Sequence, residues 1–476
     1  MSGLLGPKSQ STSEPKLNAI QVNQSHYGAA IPLVYGQCRI PMSMLWYDGF
    51  VAIPHTERQS GGKGGGGGIR STTYTYQASV VLGLCEGPIR EIGTVWKDKE
   101  QTTLAALGLT LFLGSSPQPL WSHLSTNYPS AAIPYDRTAF VSHAAFELGN
   151  SAAMPNLTFE VIGFAPYDYG VINDAEPAAI LTDYLTDANH GVGFGYLGTV
   201  LGGGSTAWDT YCRAMGLFLS PEEHTQRPAH EFVSELLTIT NSEAVWSSGL
   251  LRVVPRGDET VTGNGFTYTP DLTPLWNLSD ADFLRTGDDD PVTVERKAAA
   301  DLYNIVRVEF LNRARQYNAE PAEARDELDI ALNGERPAPT LRHHAIKDAA
   351  VARQVAQMYL QRMLYVRNNY RFRLPFDYSQ LEPMDLVSLT DSRLGLVNKL
   401  VRVLEVEEGA GQIGPKLLVR GDGLQQQVGL ARATLALEGD ERVGFEPVPV
   451  PLFDLHGLAP AGVDREHGLV WRVFDD

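Results

Sequence analysis

Between a run of glycines and a Glu-Gly-Pro-Ile turn lies Thr72-Thr73-Tyr74-Thr75-Tyr76-Gln77-Ala78-Ser79-Val80-Val81-Leu82-Gly83-Leu84, text that alternates as a strand does. A period of two sends successive side chains to opposite faces, so such text builds sheets and not a helical bundle. The same grammar recurs along the chain, with glycine and proline as its punctuation. Gly 46 and Pro 29 sum to 75 of 476 residues, roughly 16% against a usual level of about 12%. Many turns and short strands follow from that excess.

Read in order, the chain falls into five parts. Residues 1–18 are polar and read as a flexible leader, disordered or ordered by a partner. Residues 19–168 form a β-rich block, with strand text at Ile31–Ile40, Met44–Tyr47, Thr72–Leu84, Glu91–Trp96, Thr138–Val141 and Pro155–Gly163, and a turn at Cys85-Glu86-Gly87-Pro88-Ile89. Residues 169–269 read as α/β. Helices are predicted over Glu176–Thr186, Trp208–Met215 and Pro228–Thr240, followed by a hairpin over Val245–Pro255 that turns at Ser248-Gly249. Residues 270–424 carry the strand Asn304–Phe310 and then the longest helix, Lys347–Arg367. That helix places Val351, Val355, Met358, Tyr359, Arg362 and Leu364 around an amphipathic cylinder. Tyr370–Leu374, Asp385–Leu389 and Leu400–Val406 follow as strands, with Leu417–Arg420 as a fourth partner, so this part reads as a small barrel or α+β domain. In residues 425–476 the stretch Glu446–Pro451 excludes an interior strand, and the tail reads as extended. The fold class is therefore α+β, β-rich and multi-domain.

Charge excludes several functions. With 38 Lys+Arg against 56 Asp+Glu the net charge is −18, the wrong sign for a protein that clamps nucleic-acid phosphates or adsorbs to anionic lipid. Nucleic acid sliding past without sticking remains compatible with it. No stretch reaches the roughly 18–20 apolar residues of a membrane-spanning helix, and Met1–Lys16 lacks the apolar core of a signal peptide. Cys38, Cys85 and Cys212 are odd in number and far apart, so they form neither a disulfide framework nor a CxxC knuckle, and folding in a reducing cytoplasm fits them.

No constellation carries catalytic, cofactor-binding or metal-binding chemistry. Gly61–Gly68 includes Lys63, but a P-loop needs Gly-Lys-Ser/Thr opening a helix, whereas here a strand follows; a flexible hairpin loop is the reading. Asp288-Asp289-Asp290 lacks the oxygen spacing and closing glutamate of an EF-hand and reads as a solvated loop. His343-His344 belong to no HExxH pattern and read as a polar lead-in to the long helix. Cys38 and Cys85 lie in apolar strand text and Cys212 in a helix, as small buried hydrophobes do. There is no GxSxG elbow, and no Asp/Glu pair is marked out for glycoside hydrolysis.

The segment Tyr74–Ile89, entering Glu86-Gly87-Pro88-Ile89, followed by Ile92-Gly93-Thr94-Val95-Trp96-Lys97-Asp98, resembles a recurrent strand–turn of tail-tip hub proteins in long-tailed bacteriophages. Ile31-Pro32-Leu33-Val34-Tyr35-Gly36 with the glycine-rich loop Gly61–Gly68 is similar to that family's opening. Asp209–Leu217 resembles its helix, Glu243–Asp258 its hairpin, and Leu381–Leu389 its strand entered through Pro-x-Asp. The likeness spans roughly residues 19–423 and extends to the hub part of lambda-like host-specificity proteins and to hubs of gene transfer agents. It implies a homotrimer whose subunits each supply tail-tube-like β-barrel domains plus smaller α/β domains, so that three chains imitate a six-membered ring. The implied partners are tail-tube or distal tail proteins, the tape measure protein and tail fibre or tip proteins, with DNA passing transiently and without specific binding. The implied place is the virion, at the tail tip or baseplate, after synthesis in the host bacterial cytoplasm. Relatives often continue into receptor-binding modules, whereas this chain stops at Asp476. A tail-associated hydrolase of cell wall or capsule, or a receptor-binding adhesin, stands as the alternative.

Overall fold

The computed structural model describes residues 11–13, 16, 30–59, 69–164, 173–194, 207–247, 250–285, 290–298, 302–411 and 414–423. It is β-rich α+β, with several sheets, one of them a half-barrel. The chain divides into two units: residues 1–175 with 220–226, and residues 176–219 with 227–476.

In the first unit the strands are β1 (Ser11–Ser13), β2 (Leu33–Val34), β3 (Gln37–Pro41), β4 (Ser43–Gln59), β5 (Ile69–Glu86), β6 (Glu91–Lys97), β7 (Glu100–Thr102), β8 (Thr110–Phe112), β9 (Thr138–Gly149), β10 (Leu157–Ile162) and β11 (Glu222–Glu223). One sheet runs β1-β5-β9-β8, with β4 also paired to β5; a second runs β3-β10-β6-β7; β11 pairs with β2. The strand predicted over Ile31–Ile40 is broken at Gly36, whose φ of +62° no extended strand allows. Alternation does in β5 what it must. Tyr76, Ala78, Val80, Leu82 and Leu84 point into a core shared with Cys38 and Ile40 of β3, Val95 of β6, Val141 and Phe146 of β9, and Phe159 and Val161 of β10. On its other face Val81 joins Phe140, Trp121 and Leu124, under the short helix Ser122–Asn127. Two covered faces explain why Val80 and Val81 are both apolar.

The second unit holds the helices Pro177–Thr186, Ala207–Met215 and Ala229–Ile239. It continues with β12 (Ser242–Ser247), β13 (Leu250–Pro255), β14 (Val261–Gly263), β15 (Phe266–Tyr268), β16 (Trp276–Leu278), β17 (Val292–Arg296), β18 (Ile305–Asn312), β19 (Asn318–Arg325), β20 (Leu341–Arg342), β21 (Asn368–Pro375), β22 (Leu386–Asp391), β23 (Leu396–Gly411) and β24 (Gly414–Gly423). The hairpin β12–β13 forms as predicted, and its turn at Ser248-Gly249 lies outside the described residues. The last sheet has the order β16-β22-β23-β24-β21-β17 and is open at both ends. Tyr370, Phe372 and Leu374 of β21 face its core beside Val387, Leu389, Val401, Val403 and Val419, while Arg371 and Arg373 alternate outward. The long helix spans Ala349–Tyr365, capped by Asp348, whose carboxylate accepts from the amides of Ala350 and Val351. All six residues predicted for its cylinder are buried. It packs on β18 and β19, which form a three-stranded sheet with β20.

Candidate assembly interface

The predicted chemistry-bearing residues scatter. Gly61–Gly68, including Lys63, lies outside the described residues, but its flanks are paired: Gln59 stands opposite Ile69, so β4 and β5 form one hairpin around it. Asp288 and Asp289 also lie outside, whereas Asp290 forms an ion pair with Arg393 at 2.8 Å. Among the described residues, no group of three or more His, Cys, Asp and Glu side chains is placed to hold a metal ion, and no helix is long and apolar enough to cross a membrane.

Of the histidines, His344 is exposed and reaches Glu309 at 3.2 Å, as a polar lead-in should. His343 differs. It is buried and stacked on Tyr359, with its Nε2 3.2 Å from the phenol oxygen, and burial lowers its pKa to about 4. All three cysteines are buried. The Cys38 thiol donates to the Ser220 carbonyl at 3.1 Å, and desolvation pushes the thiols of Cys85 and Cys212 well above their ordinary values. Thiols held protonated in this way are poor nucleophiles.

Two polar clusters escaped sequence reasoning. In the first unit the buried Ser220 hydroxyl donates to Asp174, and its oxygen accepts from the Gln37 amide at 2.9 Å. The pair clamps β3 to the segment bearing β11; a nucleophilic serine would need a base such as histidine in that place. In the second unit Glu176 and Asp209 share one guanidinium. Arg213 meets Glu176 through Nε and, at 2.9 Å, through Nη2, and its Nε also meets Asp209 at 2.9 Å. The Asp209–Arg213 spacing of four within a helix was its only sequence signal.

Burial first, then the Glu176 carboxylate, raises the pKa of Asp209, with Arg213 opposing them. The folded state therefore keeps a proton above pH 3.8, where the unfolded chain has lost it. Stability through this group is full in acid and falls as pH rises from about 4 through the folded value. Asp209→Asn is expected to remove that slope, a difference on the order of 2 kcal/mol between pH 5 and pH 8. Thermal unfolding at both pH values reads it, and an unchanged slope would refute the account.

What the described surface offers is strand edge and exposed apolar side chains. β4 pairs only with β5 among the described residues, leaving its outer edge open. Leu328 and Leu332, one helical turn apart on the helix Glu327–Asn333, are 57% and 75% exposed, and Val397 is 76% exposed. Long edges and solvated leucines suit a protein completed by neighbours.

Residues 228–406 match a family model described as a putative phage tail protein. No curated protein matches the chain. Among solved structures, a chain of the virion of a native gene transfer agent particle is similar at 18% identity and a TM-score of 0.55, over 88% of this chain and 89% of its own. The 43 kDa tail protein of prophage MuSo2 from Shewanella oneidensis is 10% identical over 82% of this chain and 98% of its own, with a TM-score of 0.33. A tail protein from Neisseria meningitidis MC58 is 9% identical over 83% and 97%, with a TM-score of 0.31. These last two scores are too low to bear on the fold. The family match over residues 228–406 and the fold shared with the virion chain make phage tail proteins what this chain resembles.

Proposed function

We propose that this chain is the subunit of a trimeric hub at the distal end of a phage tail, where it joins a six-fold tail tube to a three-fold tip and lines part of the DNA ejection path. The observation that supports it most is the extent of the likeness to a chain of an assembled virion, 88% of one chain and 89% of the other. An adaptor of this kind works through large obligate interfaces, and open edges and exposed leucines suit that role. The net charge of −18 suits a wall past which DNA must slide, since like charge opposes sticking. Its partners in this reading are tail-tube or distal tail proteins, the tape measure protein and fibre or tip proteins. The hub role involves no catalysis.

Mass photometry of the purified chain is expected to give a species of about three times 52.0 kDa that binds tail-tube protein. A stable monomer with no such affinity would overturn the reading. Clearing of host cell walls by the protein would make it a hydrolase instead.

A further inference from the structure

The hairpin β4–β5 outgrows the sheet that carries it. β9 covers the second edge of β5 only from Glu86, opposite Thr138, to Tyr76, opposite Gly149. From Thr75 to Ile69 the strand continues with β4 on one side and has passed the end of β9 on the other. Beyond Tyr74 most of the described side chains of this arm face solvent: Pro54, His55, Thr56 and Glu57 are exposed, as are Arg70, Ser71 and Thr73. Cross-strand polar contacts are what it has instead, His55 to Thr75 at 2.7 Å and Thr56 to Thr72 at 3.2 Å. A two-stranded ribbon with so little apolar cover is marginal in water, and an edge that β9 leaves uncovered is a template for a further strand.

On that edge the leader is already seated. Ser11, Thr12 and Ser13 run parallel to β5, opposite Arg70, Ser71 and Thr72. We propose that residues 69–75 of β5 form a strand-acceptor edge, and that its occupant in the assembled protein is the Ser11–Ser13 segment of a second copy of this chain. The inference rests on the trimeric reading above.

Three considerations bear on the choice between a neighbour's strand and the chain's own, and the last favours the neighbour. A Ser-Thr-Ser strand brings no apolar side chain, so its attachment is main-chain pairing, identical whichever copy supplies it. Nineteen residues separate Ser13 from Leu33, a contour of about 65 Å at most, so chain length does not tie the segment to its own arm. In isolation three residues gain few ladder bonds against the cost of ordering them. In a ring every copy gives one strand and receives one, and the second contact becomes intramolecular once the first has formed. Head-to-tail exchange of this kind closes on itself and leaves no arm empty.

A disulfide reads which copy supplies the strand. Thr12 and Ser71 stand opposite one another, and neighbouring strands lie about 4.8 Å apart, within the span a disulfide bridges. The native cysteines are buried and do not compete. The full chain carrying T12C and S71C together, mildly oxidised, is expected to run on a denaturing gel without reductant mainly as covalent dimers and trimers. Co-expressed T12C and S71C single variants should give covalent dimers. A single internally closed monomer band would show that each leader pairs with its own arm, and absence of any cross-link would remove the acceptor edge; either overturns the proposal. The native mass of the same sample separates the two claims. A trimer with only monomeric cross-links leaves the hub reading standing and sinks the exchange, whereas a native monomer sinks both.

Discussion

Alanine at Gly114 or at Gly87 is expected to cost the first unit about 3 kcal/mol or more and to lower its thermal midpoint by roughly 10 °C. A Cβ at Gly87 would lie 2.6 Å from the Gly114 Cα and 2.6 Å from the Leu113 carbonyl oxygen. A Cβ at Gly114 would lie 2.7 Å from the Gly87 Cα and 2.8 Å from the Ala139 nitrogen. All four neighbours are main chain, so no rotamer change relieves the clash. Gly114 adds a φ of +84°, where a side chain costs about 1–2 kcal/mol by itself. The two glycines let the turn after β5 lie against the segment after β8, where the Ile89 amide donates to Leu113 at 2.9 Å and the Gly87 amide to Arg137 at 2.6 Å. Gly149→Ala is the control: its φ is +74°, yet nothing lies within 4 Å of the added carbon. It should lose only the conformational part. Thermal scans of the three variants decide the matter, and equal losses at all three would show that close packing at Gly87 and Gly114 is not what those glycines supply.

That pair shows what a sequence discloses and what it withholds. Glu86-Gly87-Pro88-Ile89 is readable as a turn because glycine and proline act locally. Its tight partner is Gly114, far along the chain, and no local signal joins them. The same division holds elsewhere. Helical spacing predicted a helix over Lys347–Arg367, observed over Ala349–Tyr365 with the predicted face buried, since amphipathicity is written within one element. Where that helix packs depends on strand pairing at long range, and it covers β18 and β19. β16 was invisible because three residues, Trp276–Leu278, are too few to show a period; it exists through parallel pairing with β22. His343 looked like a polar lead-in because neighbouring histidines look alike in sequence, yet one is buried on Tyr359 and the other exposed. As for the candidate interface, the hairpin was legible from its alternating flanks, but the strand laid along its free edge was not. Ser-Thr-Ser carries no hydrophobic pattern, and main-chain pairing leaves no mark on side-chain text.

Removal of Arg402 should be the largest charge effect in the second unit, and it should depend on pH in a definite direction. The Arg402 and Asp258 side chains are 7% and 8% exposed, paired at 2.5 Å, and Arg402 also donates to the Met384 carbonyl at 3.4 Å. Arg256 and Asp422 lie beside them, 3.6 Å apart, and burial lifts the phenol of Tyr268 to about 12. Burial raises the Asp258 pKa above its ordinary 3.8, with Arg402 the chief force holding it down and Asp422 pushing it further up. Arg402→Ala therefore leaves a buried carboxylate without its main counter-charge, a loss of about 3–5 kcal/mol near neutral pH. In the variant the folded pKa climbs further, so the folded state binds a proton over a wider window that begins at 3.8. Protonation then removes the buried charge, and the defect should shrink toward pH 5 and be greatest near pH 8. Asp258→Asn with Arg402→Met takes away both charges and should recover most of the loss at either pH, because the desolvation cost leaves with the pair. Denaturant unfolding of the three chains at pH 5 and pH 8 reads all of this. A loss in Arg402→Ala that is the same at both pH values would mean that the arginine contributes packing along its stem and not compensation of Asp258.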